Sequence, residues 1–204
     1  MNLHTFLQEQ LAAVPVAKAN YDKLKQIKTK EFDFGDYKIY VHFNPARAIS
    51  SLAKLDAKSI AERPCFLCAK NRIEGQVAID FKGKYDICIN PFPICDEHFT
   101  VVSKIHEPQN IIGKVRDFID LAQAYPDFIA LFNGAKSGAS APDHMHFQLV
   151  NKDYFPYTVD TPMPGVVEKV VLISADADAL EQQLTAEINK RQHQGELPAS
   201  HVNL

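Results

Sequence analysis

Asp143-His144-Met145-His146-Phe147-Gln148-Leu149-Val150 alternates polar and apolar residues from His144 to Leu149. Side chains alternate across a strand, so His144, His146 and Gln148 share one face and Met145, Phe147 and Leu149 the other. The apolar set belongs to a sheet interior. The polar set forms a line of groups spaced roughly 6.5–7 Å apart along the strand, a line along which a phosphate or carbonyl can be gripped. An exposed strand face with two incidental histidines is the plainer reading, and what precedes the strand weighs against it.

Immediately upstream, Asn133-Gly134-Ala135-Lys136-Ser137-Gly138-Ala139-Ser140 is a loop of small residues that brings backbone N–H groups and hydroxyls close to an anion. Alone, such a loop is as well read as a tight connection. Before it, Phe128 to Asn133 reads as a strand, and Ile111 to Tyr125 repeats apolar residues at helical period up to the stop at Pro126. Further strands are predicted at Val77 to Phe81, Tyr85 to Asn90 across a Lys82-Gly83-Lys84 turn, and Phe99 to Ser103.

Towards the amino terminus, a short helix is expected from Ala57 to Glu62. Alternation over Glu31 to Phe43 around Gly35-Asp36 predicts a β-hairpin with one buried face. Leu3 to Ala13 has helical spacing, resumed from Tyr21 to Ile27 after Val14-Pro15. Beyond Val150 come a proline-punctuated loop, a strand from Val166 to Ser174 and a helix from Ala177 to Arg191 behind an aspartate cap. Strands in runs with helices between them favour an α+β fold on a mainly antiparallel sheet flanked by helices. Residues 1–150 are read as the main module and 151–204 as a strand-helix extension.

The chain has 204 residues, 46% hydrophobic and 23% charged, with a net charge of −3. One folded core is the expectation, and the charge argues against a domain that neutralises many phosphates of a nucleic acid. No basic leader followed by an apolar run opens the sequence, and nowhere do about 18 apolar residues run together, which reads as cytoplasmic with no membrane partner. In a reducing compartment the spacing Cys65-x-x-Cys68 serves metal or redox chemistry more often than a disulfide. Two inert cysteines is the third reading, and nothing here resembles the βαβ start of a thioredoxin. Cys88 and Cys95 sit at hydrophobic positions and read as buried small hydrophobes.

Five motifs then occur in order: Arg63-Pro-Cys65-Phe-Leu-Cys68, Asn90-Pro-Phe92-Pro-Ile, Glu97-His98-Phe-Thr-Val-Val-Ser-Lys-Ile-His106, Asn133 to Ser140, and His144-Met-His146-Phe-Gln148. In this the chain resembles the histidine-triad superfamily, in its galactose-1-phosphate uridylyltransferase and dinucleoside-tetraphosphate phosphorylase branch, over roughly Asn44 to Val150. The resemblance implies a histidine-triad-like fold and a nucleotidyltransferase working through a covalent nucleotidyl-histidine, with His146 as nucleophile. A neutral imidazole is a good nucleophile near pH 7, and the phosphoramidate it forms leaves readily once protonated. Gln148 stands where hydrolases carry a third histidine, which implies transfer to a phosphate-bearing acceptor over transfer to water.

By the same resemblance Asn133 and Ser140 hold phosphates, and Asn90 and Phe92 line a base-and-ribose pocket. Pro91 replaces an aspartate there, which leaves the base open. Arg47 either reaches the substrate phosphates or is an ordinary surface residue. Cys65, Cys68, His106 and His144 would hold a structural zinc. His98 reads as a structural hydrogen-bonding residue, and His4, His42, His193 and His201 carry no readable role. The substrate is a nucleotide or nucleotide sugar, uridylyltransferase-like. The alternatives are a phosphorylase of the dinucleoside-polyphosphate type and a zinc-stabilised nucleotide-binding protein without turnover. The extension reads as the opening of a truncated second module, so that acceptor-binding residues are missing or come from another subunit, as in a homodimer.

Overall fold

The computed structural model describes residues 2–44, 54, 56–154 and 172–193. Helix α1 (Leu3–Ala13) opens on Asn2, whose side-chain oxygen accepts the amides of His4 at 2.8 Å and Thr5 at 3.3 Å, satisfying two of the donors a helix start leaves unpaired. Pro15 has no N–H to continue that ladder but suits the first turn of the next helix, and α2 runs Pro15–Asp22. A 3₁₀ turn over Lys23–Gln26 then ends the helical stretch, one residue short of the expected Ile27.

Strands β1 (Lys28–Asp33) and β2 (Lys38–Phe43) pair antiparallel as a separate two-stranded sheet. The expected buried face is absent. Phe32 and Ile39 are both 37% exposed, Val41 49% and Phe43 62%. The alternation is present and formed the hairpin, but among the described residues the pair bonds to no third strand, so its apolar side stays wet.

Helix α3 (Ala57–Glu62) starts at Asp56, which accepts the Ser59 amide at 2.9 Å. The main sheet follows: β3 (Ile79–Phe81), β4 (Tyr85–Ile89), β5 (His98–Ser103), β6 (Phe128–Leu131) and β7 (His146–Asn151). Its order is β3-β4-β5-β7-β6, every pair antiparallel, which is the predicted α+β architecture. Lys82 and Gly83, with φ of 56° and 68°, close the β3–β4 turn in the left-handed geometry that matches the sheet's twist. Helix α4 (Val115–Ala124) begins four residues later than its apolar pattern, because Gly113 at φ 73° breaks the run.

All six residues of β5 are buried. On one face Phe99 and Val101 join Ile87, Ile89, Phe147 and Leu149 in a core closed by Leu3, Phe6 and Leu7 of α1 and Val115, Phe118 and Leu121 of α4. Ring centroids lie 5.0 Å apart for Phe118 and Phe147 and 5.6 Å for Phe99 and Phe128. Each such ring contributes on the order of 1.5–3 kcal/mol by burial. The opposite face carries His146 opposite Val102, Gln148 opposite Thr100, and Val150 opposite His98.

Helix α5 (Ala177–His193) follows Asp176, whose carboxylate accepts the Asp178 amide at 2.9 Å, and sends Leu184 and Ile188 into the same core. Of the expected strand Val166 to Ser174, only 172–174 are described, and they are not in a strand. No helix among the described residues is long and apolar enough to cross a membrane.

Candidate functional site

The loop before β3, the end of β5 and the start of β7 converge at one corner. There Cys65, Cys68, His106 and His144 place one ligand atom each within 4.8 Å of the others. Cys65 Sγ is 3.2 Å from His144 Nδ1, and Cys68 Sγ is 3.3 Å from His106 Nδ1 and 3.6 Å from His144 Nδ1. Tetrahedral zinc, with Zn–S ~2.3 Å and Zn–N ~2.0–2.1 Å, sets sulfur and nitrogen about 3.6 Å apart, so the quartet fits a metal in both donor type and spacing. Both cysteines are free thiols.

The surroundings fix the donors. The Cys68 amide bonds the Cys65 carbonyl at 3.3 Å, and Asn71 Nδ2 donates to that same oxygen at 2.7 Å, which holds the turn. His144 Nε2 donates to the Ser103 carbonyl at 2.8 Å, keeping the proton off Nδ1 and turning its lone pair to the sulfurs. Asp143 accepts from Arg63 at 2.6 Å and lies 4.0 Å from His106 Nε2. Burial pushes the Cys65 thiol up and the His144 imidazole down. The site thus favours uncharged ligands until a cation draws the thiol protons off.

His146 lies two residues further on, only 6% exposed. Its Nδ1–H donates to the His144 carbonyl at 2.8 Å, which leaves Nε2 as the free lone pair. Burial lowers its pKa to about 4, so the ring is neutral near pH 7. Gln148 stands beside it on the same face and is half-buried. The Ile94 amide donates to His98 Nδ1 at 3.2 Å, so the His98 proton sits on Nε2 and is given to Gln148 Oε1 at 2.7 Å. The glutamine NH₂ is thereby turned away from His98.

Asn90 is spent partly on local structure. Its Oδ1 accepts the Phe92 amide at 2.9 Å and its Nδ2 donates to Thr100 Oγ1 at 3.2 Å. Helix α2 braces this turn, with Asn20 Nδ2 donating to the Pro91 carbonyl at 2.9 Å and the Tyr21 hydroxyl to the His98 carbonyl at 3.0 Å. Asn133 is linked to His146 through Gln109, which donates to both their carbonyls. Phe92 and Ser140 are half-buried, and no side-chain hydrogen bond joins either to His146 among the described residues. Arg47 falls outside the described residues. Cys88 and Cys95 are buried, which pushes their thiols up to about 11 and about 12, in keeping with small hydrophobes.

Sequence reasoning gave no site role to Arg63, Ser103, Gln109 or Asp143. Asp143 immediately precedes the His-x-His motif and Arg63 lies two residues before the Cys-x-x-Cys motif, and that proximity was the available signal. Ser103 acts through its backbone, which no residue type advertises.

A family model described as "Domain of unknown function (DUF4922)" matches residues 6–151, a span that holds every residue of this site. No curated protein matches. Solved structures similar to the chain include the yeast Ap4A phosphorylase Apa2, at 17% identity and TM-score 0.38, covering 68% of this chain and 47% of that one. The same enzyme in complex with Ap4A gives 18% identity and TM-score 0.40, over 66% of this chain and 50% of that one. In complex with AMP it gives 15% identity and TM-score 0.43, over 93% and 74%. In the first two the chain spans about half the length of the protein it matches.

Proposed function

The chain belongs to the DUF4922 family, and we propose that it is a nucleotidyltransferase that works through a covalent intermediate on His146. The observation that carries this is the hydrogen bond from the buried His146's Nδ1–H to the His144 carbonyl, which leaves Nε2 unprotonated on the strand face that also carries Gln148.

In the first half-reaction Nε2 attacks the α-phosphorus of a nucleotide sugar or dinucleoside polyphosphate. The N–P bond forms as the bond to the departing phosphate oxygen breaks, and the electron pair leaves with that phosphate. Positive charge that develops on the ring is held by the His144 carbonyl through Nδ1–H. In the second half an oxygen of a phosphate-bearing acceptor attacks the same phosphorus, and the N–P pair returns to the imidazole. Gln148 NH₂, aimed by His98, donates to a phosphoryl oxygen in both halves. The likeness of the five motifs to the uridylyltransferase and phosphorylase branch of the histidine-triad superfamily supports the same reading. Residues 1–150 would be the catalytic module and 151–204 its extension. Asn133, Ser140 and Arg47 would meet phosphates, with Asn90 and Phe92 at the nucleoside.

Cys65, Cys68, His106 and His144 would hold zinc. When bound, the ion supplies a crosslink that ties the Cys-x-x-Cys turn to β5 and β7.

The test is intact mass after incubation with UDP-glucose or with diadenosine tetraphosphate. The expected result is the gain of one uridylyl or one adenylyl group, lost again on adding a sugar phosphate or inorganic phosphate. Which donor labels and which acceptor releases separates transferase from phosphorylase. No adduct with either donor, or an adduct that survives His146→Gly, sinks the proposal.

A further inference from the structure

The β6–β7 ladder ends at the pair Leu131–Gln148, and its register, carried two residues on, would set Asn133 opposite His146. The strands part there instead. On its other side His146 keeps its partner Val102 in β5. The opening is filled by the side chain of Gln109, itself 5% exposed. Its Nε2 donates to the carbonyls of Asn133 at 2.8 Å and His146 at 3.0 Å, and its Oε1 accepts the His146 amide at 2.8 Å.

A carboxamide carries the donor and acceptor of a peptide group. One side chain therefore stands in for a missing strand neighbour on three main-chain groups that burial would otherwise leave unpaired. Its own segment is anchored in parallel: the Gln109 amide donates to the Pro142 carbonyl at 3.1 Å, and the Met145 amide to the Glu107 carbonyl at 2.7 Å. Residues 107–109 thus lie along 142–146.

Resting on the nucleotidyl-histidine reading above, we propose that Gln109 is a positioning residue: its buried amide wedges Asn133 from His146, fixing the backbone that aims the His146 ring and the mouth from which the Gly134–Ala141 loop departs. Without the wedge the two strands zip one step further, Asn133 moves into the ladder beside the nucleophile, and the ring turns with its backbone. A misplacement of about 1 Å at a reacting group costs up to roughly a hundredfold in rate.

The experiment uses the full chain with its metal content verified, as wild type, Gln109→Met and Gln109→Asn. Methionine keeps the length without the polar groups. Asparagine keeps the amide one methylene short and serves as the read-out where methionine does not fold. Two quantities are measured: residue-resolved hydrogen exchange of the His146 amide, and kcat and KM with whichever of UDP-glucose and diadenosine tetraphosphate labels the wild type. The expected result is faster exchange at His146 with the β4–β5 amides unchanged, and kcat lower by about tenfold to a hundredfold at nearly constant KM. A His146 amide protected as in wild type, or a lower melting temperature with kcat unchanged, overturns the assignment. A wild-type chain that takes no label overturns the nucleotidyl-histidine reading instead, and the exchange measurement alone then decides whether Gln109 holds His146.

Discussion

His98 and Gln148 are joined by a 2.7 Å hydrogen bond whose direction is set from outside the pair, because the Ile94 amide occupies His98 Nδ1 and leaves only Nε2–H to give. A glutamine amide presents donor or acceptor according to how it is turned, and here a histidine decides.

Replacing His98 by leucine should therefore act through Gln148. With Oε1 unpaired the amide can rotate, and the transfer step should lose about 0.5–1.5 kcal/mol, the net worth of a typical intramolecular hydrogen bond. Product analysis with phosphate acceptor and water in competition would show more hydrolysis. In a double-mutant cycle with Gln148→Leu the two losses should not add. Fully additive losses would show that His98 does not act through the amide.

Cys65→Ser/Cys68→Ser should strip the metal. Elemental analysis of wild type should give about one zinc per chain and the variant close to none. Because the ligands come from three separate segments, the variant should also lose several kcal/mol of stability, against apparent binding free energies of ~10–16 kcal/mol for structural zinc in peptides. Undiminished zinc in the variant would refute the quartet.

The two histidines of the strand should separate cleanly. His146→Gly should abolish the adduct, a ΔΔG‡ of roughly 4–8 kcal/mol, while zinc content and melting temperature stay near wild type. His144→Ala should lower both of those, since His144 faces the two sulfurs and the Ser103 carbonyl. Equal metal loss in both variants would overturn the division of roles.

Burial holds the His146 pKa at about 4, below the ordinary 6.5, so between these values the unfolded chain binds a proton that the folded chain does not. Stability then rises with pH across that window, and the contribution present above pH 6.5 is lost as the pH falls through 4, up to about 3 kcal/mol. His146→Gln removes the titrating group, and urea melts from pH 4 to 7 should give a shallower curve than wild type. Parallel curves would show that His146 does not titrate in this way.

The alternation of His144 to Leu149 was enough to put Phe147 and Leu149 in the core and His146 and Gln148 on the other face, because the period of a strand is geometric and independent of neighbours. The Cys65, Cys68, His106 and His144 set came from the family resemblance, the residues alone leaving the cysteine pair open, and the structure brings the four together. What stayed hidden depends on partners distant in sequence. The hairpin pattern reported an apolar face but not whether anything covers it. Gln109, in a polar run between two predicted elements, looks like solvent-facing loop until the β6–β7 ladder is seen to stop short beside it. His98 was read as structural, and its link to Gln148 spans 50 residues.

Strand β5 is buried along its whole length, while β1 and β2 are exposed or half-exposed throughout. A saturation scan for folded, active protein should accordingly lose the two-residue rhythm usual for strands in His98–Ser103. Phe99 and Val101 would reject changes of volume, and His98 and Thr100 would reject changes of polarity. Lys28–Asp33 and Lys38–Phe43 should accept polar replacements on both sides, leaving the central strand as an unbroken intolerant block and the hairpin free to diverge between relatives.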